Sequence, residues 1–402
     1  MQSAAGALGT SVSRAIIRSM AEPQIAFSRP YRTRNELPNI EQVLKSGHAQ
    51  ADGQFTVSAS QKLKAITGVE HSLLTPSGTH ALEMASLLLS LEPGDEVILP
   101  SFTFPSAANA VAMFGAVPVF IDVELSSGNI DAALIERAIT SRTRAISVMH
   151  YGGVAVDLDL VGSVCTAYGL PLIEDNAHGL GGLWRGTPLG SIGLFGTQSF
   201  HATKNVHSGE GGALLVNDPS LVERAEIIRE KGTDRSRFLR NSVDKYTWTD
   251  LGSSYAMSEL NAAILDSQLT EFSEIQERRQ AIWDTYAASF GEWAAESGAT
   301  LMSPPVDHVH TAHLFYILMP SHEDQLTLIA HLQGKGIIAT FHYIPLDSSS
   351  AGRRYGKTPF ECPVSEDFSR RVVRLPLWAG MTDDAVSRVV DGVASYRVVE
   401  HV

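Results

Sequence analysis

Cysteine is almost missing from this chain. The two present, Cys165 and Cys362, cannot build a framework of bridges, which fits a reducing compartment. No apolar stretch reaches the roughly 18 residues that a membrane-spanning helix needs. Basic residues are in deficit: 31 Lys+Arg against 44 Asp+Glu leaves a formal charge of −13 at pH 7. An acidic chain without basic tracts is a poor binder of nucleic-acid polymers and anionic membranes. No internal repeat is present, and no low-complexity segment beyond the N-terminus. Gly 33, Pro 18, 44% hydrophobic and 19% charged residues are ordinary globular usage, which excludes a disordered, collagen-like or coiled-coil chain. These absences lead to the expectation of a cytoplasmic globular enzyme.

A length of 402 residues points to two domains. Residues 1–22 are rich in Ala, Ser and Gly, carry Arg14 and Arg18, and lack acids before Glu22. They read as a flexible extension, as a transit segment, or as a start upstream of Met20. The large domain is expected over 23–265, and a connector helix with a small C-terminal domain over 266–402. Apolar runs at 96–99, 117–121, 144–149 and 172–173 alternate with helical patterns at 106–114, 130–139 and 159–168. This rhythm predicts βαβ units and a mostly parallel sheet covered on both faces. Ligands of such sheets bind at the carboxyl ends of strands. A long helical region is expected over 256–288. The small domain should hold strands at 313–319 and 336–343 and helices at 326–332 and 383–393.

Three stretches can carry chemistry. Thr75-Pro76-Ser77-Gly78-Thr79-His80 breaks a turn and opens an apolar helix, whose free N–H groups can hold a phosphate or can simply be capped by Ser77 or Thr79. Glu174-Asp175-Asn176-Ala177-His178 ends a hydrophobic strand on acids. A buried Asp there can pair with a protonated heterocycle or can cap the next turn. Ser199-Phe200-His201-Ala202-Thr203-Lys204-Asn205, followed by Gly209-Glu210-Gly211-Gly212, sets one lysine in a small, polar stretch. Such a lysine forms a Schiff base once burial or positive neighbours lower its pKa; alone it would more often be a solvated side chain. A phosphate turn, an Asp and a lysine in this order are the parts that pyridoxal phosphate (PLP) requires.

With Pro100-Ser101-Phe102-Thr103-Phe104 added, these motifs resemble the DegT/StrS family of PLP-dependent sugar-nucleotide aminotransferases, from about Ile25 to the C-terminus. Within it, His150-Tyr151-Gly152-Gly153-Val154-Ala155, Arg229-Glu230-Lys231-Gly232-Thr233, Asp244-Lys245-Tyr246-Thr247-Trp248 and Phe341-His342-Tyr343-Ile344-Pro345-Leu346 resemble the branch of dTDP-4-amino-4,6-dideoxygalactose transaminases. The resemblance implies an α/β fold of PLP type I, aspartate-aminotransferase-like, with a smaller α+β C-terminal domain. It implies Lys204 as the Schiff-base lysine, Asp175 on the pyridine nitrogen, His178 near the phenolic oxygen and Phe104 on the ring face. Gly78, Thr79 and Ser199 would hold the phosphate. It implies a homodimer in which the neighbour sends an Asn from a Leu-Gly-x-Asn-x-Arg motif. Here Leu251-Gly252-Ser253-Ser254-Tyr255-Ala256 puts Ser254 for the Asn and Ala256 for the Arg.

The implied substrates are L-glutamate and a nucleotide-linked keto sugar, of the dTDP-4-keto-6-deoxyglucose type. The acidic balance requires local cations for the diphosphate; Arg229, Lys231, Arg235 and Lys245 are candidates, with Tyr246, His342 and Tyr343 beside the sugar. Each can equally be a solvated or packed side chain. His308, His310 and His313 suggest a metal, but no acidic or cysteine cluster accompanies them, so none is expected. Gly179 and Gly181 do not continue into a dinucleotide fingerprint, since Trp184 stands at the required Gly. Alternatives are amination of another sugar position or a cyclitol, a sugar dehydratase with histidine in the lysine's place, or a regulatory protein on an inactive PLP fold.

Overall fold

The structure, a computed structural model, describes residues 24–398. The extension expected over 1–22 lies outside them. Helices α1 (Glu36–Ser46) and α2 (Gln54–Thr67) come first. Then follow β1 (His71–Thr75), α3 (Gly78–Leu88), β2 (Glu96–Pro100), α4 (Pro105–Ala112), β3 (Val117–Ile121), α5 (Ala132–Ala138), β4 (Thr143–Met149), α6 (Leu158–Tyr168) and β5 (Leu172–Asp175). A small hairpin, β6 (Leu183–Trp184) and β7 (Thr187–Pro188), precedes β8 (Phe195–Ser199) and β9 (Gly212–Val216).

Seven of these strands form one sheet in the order β1-β9-β8-β5-β4-β2-β3. From β8 to β3 every neighbour is parallel, while β9 runs against both β8 and β1. Only β9 is reversed, so the other strands all end at one rim. The continuous apolar runs explain the assembly: every residue of β2, β5 and β9 is buried, as strands covered on both faces require. Side chains just ahead of the helices fix where they begin. Asp131 caps α5 and Asp157 caps α6, each accepting a first-turn N–H. Every strand expected here is present, as are the three helices expected between them.

The rest of the chain holds α7 (Val222–Arg229), α8 (Arg235–Leu239), α9 (Glu259–Thr270), α10 (Phe272–Ser289), α11 (Gly291–Ser297), β10 (Thr300–Leu301), β11 (His308–Val309) and β12 (Tyr316–Leu318). It closes with α12 (His322–Gly334), α13 (Ser350–Tyr355), α14 (Pro363–Arg371), β13 (Val372–Arg374) and α15 (Asp383–Ala394). The helical region over 256–288 is two helices broken at Glu271, whose ψ of 19° leaves the helical range. Helix α9 packs on α1 and α2. Helix α10 carries Ile282, Trp283 and Tyr286 into a second core with Phe290, Phe315, Leu328, Phe368 and Val389.

Two expectations for this half need correction. Residues 313–319 are extended-paired only over Tyr316–Leu318, in the antiparallel sheet β10-β12-β13. Residues 336–343 form no strand, because their backbone is shared between two partners: Ile337 bridges Ile25, and Thr340 bridges Arg374. Both departures bring side chains to the rim of the large sheet. Asp122, just past β3, ties the halves together by accepting the amides of Val364 (2.9 Å) and Ser365 (2.7 Å) at the start of α14. Among the described residues no helix is long and apolar enough to cross a membrane.

Candidate active site

The common rim opens onto a cavity of about 520 Å³. Its first corner is the turn between β1 and α3. Ser77 is extended and accepts the His80 amide at 3.1 Å, so it is a true N-cap. The cap leaves the first-turn amides of Gly78 and Thr79 without an intrahelical acceptor. The cap by Ser77 is thus present, and it leaves these two amides free to face the cavity. Ser199 ends β8 directly opposite. A Cβ on Gly212, the register partner of both Thr75 and Ser199, would lie 2.4 Å from the Ser77 carbonyl carbon. That close approach is why glycine closes the Gly-Glu-Gly-Gly motif. The Thr79 and Ser106 hydroxyls meet at 2.7 Å beside the corner.

The cavity floor comes from β5 and the loop after β8. Asp175 is 5% exposed and accepts the Ala177 amide at 3.2 Å. Among the described residues no cation lies in ion-pair contact with it. Burial raises its pKa, and the Ala177 N–H and the Lys204 charge only partly offset this. A buried carboxylate of this kind needs a positive partner. Lys204 is held by backbone bonds that fold its loop back on itself: Phe200 to Gly211, Ala202 to Gly209 and Lys204 to His201. Burial lowers Lys204 from 10.5 to about 8, opposed by Asp175 and assisted by Arg374. Near neutral pH a usable fraction is the free amine that a nucleophile or base must be.

Three histidines form the wall. The Gly152 amide donates to His178 Nδ1 at 3.3 Å, so the neutral ring carries its proton on Nε2, which faces the Tyr343 hydroxyl at 3.5 Å. His178 stacks on His313 with centroids 4.0 Å apart. The Asn205 amide group donates to Gln276 Oε1 and the Thr311 carbonyl, so its oxygen accepts from His313 Nδ1 at 2.8 Å. His342 stacks on Tyr343 and receives the buried Tyr151 hydroxyl at Nδ1, 2.7 Å away. Burial pushes all three histidines well below their usual value, so they are neutral donors and acceptors.

Among the other expected residues, Phe104 stands at the cavity mouth, 53% exposed. Ser254 is exposed and does not line this chain's cavity. Arg229 is not free for substrate: it is buried, paired with Asp52 at 2.5 Å and donating to the Leu74 carbonyl. Lys231 and Arg235 both lie by Glu230, at 3.5 and 3.3 Å. Lys245 and Tyr246 are exposed, outside the cavity. The cation that sequence reasoning missed is Arg374, which lines the cavity. Its signal was a single charge inside the apolar run Val372-Val373-Arg374-Leu375-Pro376-Leu377. Among the described residues no cluster of His, Cys, Asp or Glu is placed to hold a metal ion. His308 packs tilted against Trp184, His310 tilted against Trp283, and His313 joins the cavity.

The profile of the DegT/DnrJ/EryC1/StrS aminotransferase family matches residues 30–394, and the chain belongs to that family. Solved structures agree. TlmJ, an aminotransferase from Streptoalloteichus hindustanus, is 29% identical over 92% of this chain and 98% of its own, with a TM-score of 0.85. DesV from S. venezuelae is 29% identical over 93% and 100%, with a TM-score of 0.83. Spr1654 of Streptococcus pneumoniae, a putative sugar aminotransferase seen in a PLP form, is 26% identical over 92% and 98%, with a TM-score of 0.84. This chain is a PLP-dependent aminotransferase of the type I fold. Its residues fit that cofactor: the uncapped amides and the Ser199 hydroxyl suit a phosphate, the unpaired Asp175 a ring cation, and Lys204 an aldehyde.

In the cofactor-free protein, covalent attachment of PLP to Lys204 is expected to accelerate as pH rises through about 8, where the ammonium loses its proton. Stopped-flow absorbance followed by borohydride reduction and peptide mapping measures this. A midpoint near the ordinary 10.5, or a label on another lysine, would contradict the assignment.

Proposed function

We propose that the enzyme moves an amino group from L-glutamate to a nucleotide-linked 4-keto-6-deoxy sugar, of the dTDP-4-keto-6-deoxyglucose type, giving a 4-amino-4,6-dideoxy sugar nucleotide. The observation carrying amino transfer is the convergence of Lys204, Asp175 and the Ser77–Ser199 corner on one cavity. The sugar reading rests on the branch motifs, two of whose residues, His342 and Tyr343, line that cavity.

Bound PLP supplies an electron sink for the carbanion at the amine-bearing carbon. The protein's own groups do the rest. Asp175 holds the positive ring nitrogen in a dry floor, where the ion pair is strong. Gly78, Thr79 and Ser199 hold the phosphate. His178 presents Nε2–H, the donor a phenolic oxygen needs. Lys204 Nζ, as the free amine, would be the base that takes the proton from the donor's amine-bearing carbon and the acid that returns it two atoms away, on the far side of the nitrogen. Arg374 offers its guanidinium to the donor's α-carboxylate, because no acid of the described residues claims it. The retained lysine weighs against dehydratase chemistry, and the assembled cavity weighs against a purely regulatory role.

The working form is proposed to be a homodimer. Leu239 (61% exposed), Tyr246 (52%), Trp248 (73%) and Leu251 (63%) make an exposed apolar stretch around the 230–251 loop. Such a patch marks an interface. Ser254 and Lys245 lie near it and would serve the neighbour's cavity, where Lys245 can meet the diphosphate. Sedimentation equilibrium of the holoenzyme should give twice the chain mass of 43.4 kDa. A monomer at micromolar concentration would refute the shared site.

Incubation with dTDP-4-keto-6-deoxyglucose and L-glutamate should give 2-oxoglutarate and a dTDP-amino-dideoxyhexose by mass spectrometry, with the carbon and configuration read by NMR. The Lys204→Ala protein should lose at least about three orders of magnitude in rate. Turnover with other keto sugars but not this one would overturn the sugar and keep the chemistry.

A further inference from the structure

Arg374 is held in an unusual way. Its backbone pairs with Thr340, donating at 2.8 Å and accepting at 3.1 Å. Its Nε and Nη2 both donate to the Phe341 carbonyl, at 3.2 and 2.9 Å. One edge of the guanidinium is thereby fixed, and no carboxylate of the described residues pairs with the other. Its face is covered by the Phe27 ring, whose centroid lies 4.7 Å from Cζ.

Phe27 does not arrive there on a free tail. Residues 24–28 form a strap beside the cavity, whose lining Phe27 and Ser28 join. Ile25 is buried in the C-terminal core; its amide donates to the Gly336 carbonyl at 2.8 Å and its carbonyl accepts from Ile338 at 3.0 Å. The Trp378 indole N–H donates to the Ala26 carbonyl at 3.2 Å. Two consecutive residues are thus pinned immediately before Phe27. The next cation, Arg29, lies over the Trp378 ring at 5.6 Å and anchors the exit. Such anchoring gives the Phe27 ring a defined place, and an aromatic face over a guanidinium restricts it without consuming its donors.

We propose that Phe27 is a positioning residue: its ring and the Phe341 carbonyl together hold the Arg374 guanidinium so that its free edge meets the carboxylate of the amino donor. The inference rests on the reading of Arg374 given above. It also gives the N-terminal strap a purpose. A guanidinium fixed on one edge and one face loses little freedom when a carboxylate binds, so donor affinity is bought before the donor arrives.

The test uses the holoenzyme and the half-reaction with the donor alone, so the sugar's identity does not enter. Single-turnover absorbance gives an apparent Kd for L-glutamate and, separately, for a primary amine without a carboxylate. Phe27→Ala should raise the apparent Kd for glutamate about 5- to 30-fold and leave that of the carboxylate-free amine within about twofold. Phe27→Tyr, which keeps the aromatic face, should restore the glutamate value, and the thermal midpoint of either variant should match the parent's. An unchanged glutamate Kd in Phe27→Ala, or equal weakening of both donors, would overturn the role of Phe27. Arg374→Lys separates the two levels. If it weakens glutamate while Phe27→Ala does not, only the strap's role falls; if neither variant weakens glutamate, the reading of Arg374 falls with it.

Discussion

The arrangement depends on one buried carboxylate that performs no chemistry. Glu174 is wholly inside the protein, where it accepts His150 Nε2 at 3.0 Å and the amides of Gly190 (2.8 Å), Ile192 (2.8 Å) and Gly193 (2.6 Å). These bonds hold its pKa down against the burial that would raise it, so it stays ionised. The loop it gathers leads straight into β8, and hence to Ser199 and Lys204. Successive strand residues face opposite sides of a sheet. With Glu174 locked behind the sheet, Asp175 must face the cavity. A buried charge with four hydrogen bonds is a fixed point; one with fewer would be a liability.

From that point the cavity follows by topology. Because β9 alone is reversed, the ends of β1, β2, β4, β5 and β8 reach one rim. The second half of the chain covers this rim with segments that gave up regular structure. Residues 311–315 are not strand; Arg279 donates to the Ala312 and His313 carbonyls instead, and His313 turns into the cavity. Residues 336–343 split their backbone bonds between Ile25 and Arg374, and present His342 and Tyr343.

These features also decide what the sequence could reveal. Strands β2 to β5 were legible because parallel buried strands are unbroken apolar runs, and the helices between them begin at acidic caps such as Asp131 and Asp157. Lys204, Asp175 and the Ser77 turn were legible because small residues and fixed order surround them, and the cavity joins all three. That Arg229 is engaged inside the protein was not legible. Whether an arginine is free depends on which acid folding brings beside it, and Arg229 meets Asp52 from a distant part of the chain. Arg374 escaped for the opposite reason: it sits in an apolar strand, where a charge draws no motif around itself. The break at Glu271 was hidden because the sequence stays helix-forming across it; only the change of packing partner, from α1 and α2 to the C-terminal core, ends one helix and starts the next.

The central claim is that Asp175, turned inward by Glu174, supplies the negative charge that a protonated ring nitrogen requires. Asp175→Asn removes that charge and keeps the shape. The measurement is the single-turnover rate of the glutamate half-reaction in the Asp175→Asn holoenzyme, with borohydride mapping to show that the cofactor is still on Lys204. A loss of about two to four orders of magnitude with the Lys204 link retained is the expected result. A half-reaction within about threefold of the parent would contradict the account.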